Sequence, residues 1–233
     1  KKNSYFSFRA FQFMVESLVE VDKCLRKKNT QLYCFSGDLV KILISLIEKD
    51  AVDAIYVNKD YTPFSTNRDL SIGKICNDYS VSFESFSDIT LSPIEDIKTK
   101  QGKIYSVFTP FKNTALEYAV DLPKKNHFKN YYTGDTKTVQ ISLPDIQKKI
   151  SNNKTFFPGG RSRALQVLKE NDYLNNYGVR RNFPSEHGTS RLSPHHKFGT
   201  VSVRETYWAA KNSKYDVTHF VSELYWRDFY YYI

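Results

Sequence analysis

Residues 54–86 read A-I-Y-V-N-K-D-Y-T-P-F-S-T-N-R-D-L-S-I-G-K-I-C-N-D-Y-S-V-S-F-E-S-F. Ala54 to Val57 is a short apolar run ended by Asn58-Lys59-Asp60, the signature of a buried strand and its turn. Arg68 to Asp78 carries helical spacing, and Val81 to Phe86 is a second strand. A strand, a crossover helix and another strand imply parallel pairing, and sheets of this kind are doubly wound α/β.

Working outward, residues 8–27 form an amphipathic helix. Phe8, Phe11, Met14, Val15, Leu18, Val19, Val21 and Leu25 recur at its spacing. Leu32 to Phe35 reads as a buried strand closed by Ser36-Gly37-Asp38. Asp38 then caps a helix whose inner face is Leu39, Ile42, Leu43, Leu46 and Ile47. Residues 121–153 are polar, lack sustained periodicity and read as an interdomain linker. Beyond them the pattern is helical at Arg161 to Asp172, Val201 to Lys211 and Thr218 to Tyr232. The expected division is an α/β domain over 1–120, the linker, and a helical domain over 154–233. No repeat or low-complexity tract interrupts it.

The 233 residues are 40% hydrophobic and 15% aromatic, enough to build a core, which excludes a disordered chain. The formal net charge of +9 favours polyanionic partners such as nucleic acid or anionic lipid, although a Lys- and Asn-rich gene bias produces the same surplus. Cys24, Cys34 and Cys76 form no C-x-x-C pair or zinc spacing and read as free thiols of a reducing compartment. No apolar run approaches the ~18 residues of a membrane span, and no secretory signal is present. The expectation is a soluble intracellular protein. His187, His195 and His196 lack the partners of a metal site, G-x-S-x-G is absent, and Gly159-Gly160 is no dinucleotide fingerprint.

Two stretches carry chemistry. Gly188-Thr189-Ser190-Arg191-Leu192-Ser193-Pro194 sets three hydroxyls and a guanidinium within five residues before a helical run. That arrangement forms either an anion cradle or an ordinary Ser/Thr turn capping a helix. Phe220-Val221-Ser222-Glu223-Leu224-Tyr225-Trp226-Arg227-Asp228-Phe229-Tyr230 puts Glu223, Trp226 and Arg227 on one helical side. A ring beside a carboxylate and a guanidinium suits a stacked, hydrogen-bonded base, or else an aromatic core stripe with a Glu223–Arg227 pair.

Taken together, these stretches resemble the start of the flavin-binding domain of the DNA photolyase/cryptochrome family. Three further blocks stand in the family's order. Lys59-Asp60-Tyr61-Thr62-Pro63-Phe64 resembles its D-Y-T-P block, Val107-Phe108-Thr109-Pro110-Phe111 its V-F-T-P-F segment, and Pro158-Gly159-Gly160 through Ala164 and Leu165 its G-G-x-x-x-A element. The resemblance implies an incomplete doubly wound α/β domain, which in the family seats a folate or deazaflavin antenna chromophore. The first part of an all-α domain that binds FAD follows it.

By the same resemblance, Tyr177, Thr189, Ser190, Arg191, Leu192, Ser193 and Arg227 hold the flavin. Glu223 hydrogen-bonds a flipped pyrimidine dimer, Trp226 packs against it, and Phe220 fills a further aromatic position without an indole N–H. The implied activity is blue-light-driven splitting of cyclobutane dimers in UV-damaged DNA by electron transfer from reduced FAD. The alternatives are a cryptochrome-like flavin photoreceptor or a non-catalytic DNA-binding remnant. The family's opening strand, its second βα unit and its segments after W-R-D-F-Y find no counterpart here, and the first residue is Lys1. The expectation is therefore an excerpt, a remnant, or a split or truncated form inactive alone, the split form needing a second polypeptide for the rest of the FAD domain.

Overall fold

The computed structural model describes residues 6–150 and 157–233. Its elements run α1 (Phe8–Arg26), α2 (Leu39–Asp50), β1 (Ala54–Asn58), α3 (Pro63–Asp78), β2 (Ser82–Phe86), α4 (Phe108–Ala115), α5 (Leu143–Ile150), α6 (Arg161–Glu170), a 3-10 turn (Asp172–Leu174), α7 (Tyr177–Arg180), α8 (Ser193–Lys197), α9 (Val203–Lys211) and α10 (Thr218–Tyr232). The chain folds as two compact units. One is made of the described residues within 1–57, 66–86 and 125–163, and the other of 58–65, 87–124 and 164–233.

The first unit is α/β. β1 and β2 pair as neighbours in a small parallel sheet, linked by α3. α3 starts a turn earlier than Arg68 because Thr62-Pro63 is a strong start signal. The Thr62 hydroxyl accepts from Ser65 N at 3.3 Å, and proline at the first helical position lacks only an N–H that would go unpaired anyway. Ser7 caps α1 through Ala10 N, and Asp38 caps α2 through Lys41 N at 3.0 Å, as its sequence suggests.

Leu32 to Phe35 is no strand, and it is half-buried rather than buried. Leu32 N donates to the Asp22 carboxylate at 2.9 Å, and Cys34 O accepts from Ile141 N at 2.8 Å. These two backbone groups are met by α1 and by the segment before α5 rather than by a strand ladder. Inside the stretch read as a linker lies α5, whose Leu143, Ile146 and Ile150 close a core with Val15, Phe11 and Leu18 of α1. Three apolar positions in two turns give a period too brief to stand out from the polar residues around them.

Gly159 and Gly160 lead the chain into α6. Gly159 N donates to Glu16 at 2.7 Å and Gly160 N to Ser17 Oγ at 3.0 Å, while Ser162 N donates to Glu20 at 2.8 Å. A Cβ on Gly159 would stand 2.3 Å from Phe13 O, and Gly160 has φ +106°, so neither position accepts a side chain.

The second unit is helical. α10 is its axis and packs on α4, α7 and α9. Tyr225 and Phe229 of α10 sit in a core with Ile97, Phe111 and Leu174. α4, which arises from the V-F-T-P-F block, tolerates Pro110 because the first-turn N–H groups of a helix have no intrahelical partner. A capping box of Ser202 and Glu205 opens α9. Asp228 is fully buried on α10, and its Oδ2 accepts from Leu91 N at 2.7 Å and Ser92 N at 3.3 Å.

Candidate functional site: a cationic cleft on the helical unit

α10 turns one face to a cleft of about 460 Å³. Phe220, Glu223, Leu224, Arg227, Tyr230 and Tyr231 line one wall at helical spacing, and Ser190, Ser193, His196, Lys197 and Tyr177 line the other. The volume lies within the ~300–1,000 Å³ usual for small-molecule sites.

The wall opposite α10 is held by packing. Leu192 is 1% exposed among Ala164, Leu168 and Val201, so it anchors the segment that presents Ser190 and Ser193. Arg191 adopts φ +54°, the left-handed region, and turns the chain between them. The Ser190 hydroxyl accepts from Leu192 N at 3.3 Å, a Ser/Thr turn that leaves its proton for a ligand. Arg180 ties the preceding loop by donating to Glu186 at 3.3 Å and to His187 O at 3.2 Å.

The charges of the cleft come from α8 and α10. Lys197 closes α8 and is exposed, with Ser193 one turn before it. The Arg227 guanidinium donates to Ile89 O and lies 4.9 Å from the Tyr231 ring centroid. Glu223 receives the Arg181 guanidinium in an ion pair with both partners about one-third exposed. Tyr177 is buried, edge-on to Phe220 with centroids 5.2 Å apart, and burial, then the Glu223 charge, push its phenol up. His196 is pushed down to about 4 by burial, then by the Arg227 and His195 charges, so it is neutral at pH 7. Its Nε2 shares a 2.8 Å hydrogen bond with the Thr206 hydroxyl.

Of the residues singled out in the sequence, Tyr177, Ser190, Ser193, Phe220, Glu223 and Arg227 meet in this cleft. Thr189, Arg191, Leu192 and Trp226 are outside its wall. Thr189 is exposed, and the Trp226 indole stacks on Phe108 with centroids 3.7 Å apart and planes at 11°. The sequence reading missed Arg181, His196 and Lys197. The available signal was helical spacing: Arg181 stands four residues after Tyr177, and His196 and Lys197 stand three and four after Ser193. Among the described residues no cluster of three or more His, Cys, Asp or Glu side chains could hold a metal, and no helix is long and apolar enough to cross a membrane.

The chain thus joins an α/β unit to a helical unit whose cleft brings together hydroxyls, cations and aromatic rings. Residues 1–127, more than half of the chain, match the family model described as DNA photolyase, and the chain belongs to that family. It is 28% identical over 233 residues to the deoxyribodipyrimidine photo-lyase of Halobacterium salinarum, covering 94% of this chain and 48% of that one. An archaeal photolyase from Sulfolobus tokodaii, whose crystal structure holds two FAD molecules, superposes with a TM-score of 0.81 at 36% identity, over 99% of this chain and 49% of that chain. A bacterial class III photolyase from Agrobacterium tumefaciens superposes with a TM-score of 0.84 at 25% identity, over the whole chain and 51% of that one. The chain thus spans about half the length of these relatives.

Proposed function

We propose that this chain supplies one wall of the FAD site, and part of the DNA-lesion site, of a light-driven photolyase for cyclobutane pyrimidine dimers. The observation that carries the reading is the meeting of Ser190, Ser193, Lys197 and Arg227 around one cleft beside the buried ring of Tyr177. The donor set fits FAD: hydroxyls and cations suit its diphosphate, and aromatic walls suit its rings.

When bound and reduced, FAD supplies the light-driven electron that splits the dimer. The chain's own residues bind and orient. Ser190 and Ser193 donate to phosphate oxygens, Lys197 offsets their charge, and Tyr177 with Phe220 forms an apolar wall that excludes water. Arg227 fixes the flavin side of α10. Thr189 and Arg191 act through the backbone of the segment that Leu192 anchors. Glu223 accepts a hydrogen bond from a flipped dimer, and His196, uncharged at pH 7, leaves Lys197 and Arg227 to supply the positive charge that an anion meets. A lesion is easier to flip than an intact step, because damaged bases stack and pair poorly.

A second reading, a cryptochrome-like flavin photoreceptor, is favoured by one observation. Phe108 already covers a face of Trp226, the ring expected to receive the dimer. Competitive binding of dimer-containing and undamaged oligonucleotides separates the two, since only a repair protein prefers the lesion.

The test of the cleft is direct. Purified chain is mixed with FAD and desalted, and its absorption spectrum is taken. A retained, structured flavin band that is lost on Ser193→Ala with Lys197→Ala supports the assignment. A band that survives both changes overturns it.

A further inference from the structure

The α/β unit carries a second polar surface that the flavin reading does not use. Segment 125–135 lies against the C-terminal end of α1, and polar contacts fix it there. Lys28 Nζ donates to the Tyr131 hydroxyl at 2.6 Å and sits 4.4 Å from that ring's centroid. Asn126 Nδ2 reaches the same hydroxyl at 3.3 Å, and Phe128 N donates to Asn126 Oδ1 at 2.9 Å. The hydroxyls of Thr30 and Tyr33 donate to the carbonyls of Tyr132 and Gly134. Between these elements opens a polar cleft of about 370 Å³, lined in part by Arg26, Asn29, Gln31 and Asp135.

So many ties would let a loop tuck its apolar rings inward. Instead Phe128 is 77% exposed and Tyr132 57%. Lys125 and Lys129 flank Phe128 in the sequence, Lys27 ends α1, and among the described residues none of these three is ion-paired. An apolar protein partner would find lysines on both sides of Phe128. An anionic bilayer is met by an amphipathic helix, and this face is an extended loop. An exposed ring, Phe128, set between two lysines without ion pairs, with the exposed Tyr132 near it and a polar cleft alongside, matches a single-stranded polynucleotide. Bases stack on the rings and phosphates meet the lysines.

We propose that this face binds single-stranded nucleic acid without need of a lesion. The residues belong to a different unit from the flavin cleft, so the inference stands without that reading.

The test is fluorescence anisotropy of a labelled, undamaged DNA single strand titrated with the full chain at several salt concentrations. Binding is expected to weaken steeply with salt. Phe128→Ala is expected to lower affinity roughly 5- to 100-fold, as loss of a stacking platform does. Replacing both Lys125 and Lys129 with Ala should flatten the log–log salt slope by about 1.4, at ~0.7 per phosphate contact on a single strand. Because Phe128 is exposed, the thermal midpoint of Phe128→Ala should equal that of the parent, which separates a lost contact from a lost fold. Unchanged affinity in Phe128→Ala, or an unchanged salt slope in the lysine double variant, overturns the proposal. So does tighter binding to phosphatidylserine vesicles than to DNA, with only the vesicle affinity responding to these substitutions.

Discussion

The indole of Trp226 and the ring of Phe108 lie nearly parallel, with centroids 3.7 Å apart, and bind α10 to α4. Phe229 meets both rings edge-on, at 5.8 Å from Phe108 and 5.7 Å from Trp226. A ring expected to serve a ligand is therefore part of the packing of its own unit. Trp226→Ala should lower stability by about 2–3 kcal/mol, below the full cost of a buried tryptophan because the residue is half-buried. Phe108→Ala should be comparable. The double variant should fall short of the sum by about 1 kcal/mol, the worth of the stacked pair. Urea unfolding of the four proteins measures this, and strict additivity would show that the stack contributes nothing.

Asp228 is held up at about 7, first by burial and against the pull of Leu91 N and the Arg227 charge. Its folded pKa stands above its unfolded value of ~3.9, so the native state holds the proton more tightly. Its contribution is full below pH 4 and is lost as pH rises from about 4 to about 7, with an upper bound of about 4 kcal/mol. Asp228→Asn keeps an acceptor for the backbone of Leu91 and Ser92 and removes the ionisation. Its stability relative to the parent should rise across that pH window and level off beyond it. Asp228→Ala should cost about 2–4 kcal/mol at pH 5, since two buried N–H groups lose their partner. Denaturation midpoints from pH 4 to 8 check both.

Gly159→Ala and Gly160→Ala should each destabilise the α/β unit by about 2 kcal/mol or more. The first forces Phe13 O aside. The second adds a side chain at φ +106°, with the Glu20 carboxylate in its way. Thermal unfolding followed by circular dichroism reads the loss, and a midpoint unaltered in either variant would contradict the close approach.

The Arg181–Glu223 pair should matter little for stability and much for binding. Both side chains are about one-third exposed, so screening holds the pair to ~0.2–1 kcal/mol. Arg181→Ala should leave the unfolding midpoint within that range. Glu223→Gln should cut the preference for dimer-containing over undamaged DNA about 10-fold while sparing FAD retention. Equal preference in parent and Glu223→Gln would remove Glu223 from the lesion site.

The parts of the fold open to a sequence reader are those with long, regular periods or explicit punctuation. α10 follows the expected Thr218 to Tyr232, and Asp38 caps α2 as its position foretells. Leu32 to Phe35 misleads because an apolar run bounded by turns looks the same whether its partner is a strand or a helix. Here Asp22, ten residues earlier, takes its first N–H. α5 is hidden because its helix is set by a tertiary partner, Val15, and not by its own length. At the cleft, hydroxyls and charges crowded into one short stretch are conspicuous. Arg181 is not, because its meaning depends on a carboxylate 42 residues away. Trp226 is legible only in part, since i, i+3 spacing places its ring on the side of Glu223 but does not show that Phe108 covers one of its faces.

The core between α1 and α5 has a consequence for synthesis. Val15 emerges from the ribosome about 130 residues ahead of Leu143 and Ile150, the partners that cover it. At ~5–20 residues per second, that apolar stripe waits roughly 7–25 s for its cover. During that interval only Leu32 and Cys34, which follow within 20 residues, are at hand to shield part of the stripe, so α1 stays partly uncovered until α5 is made.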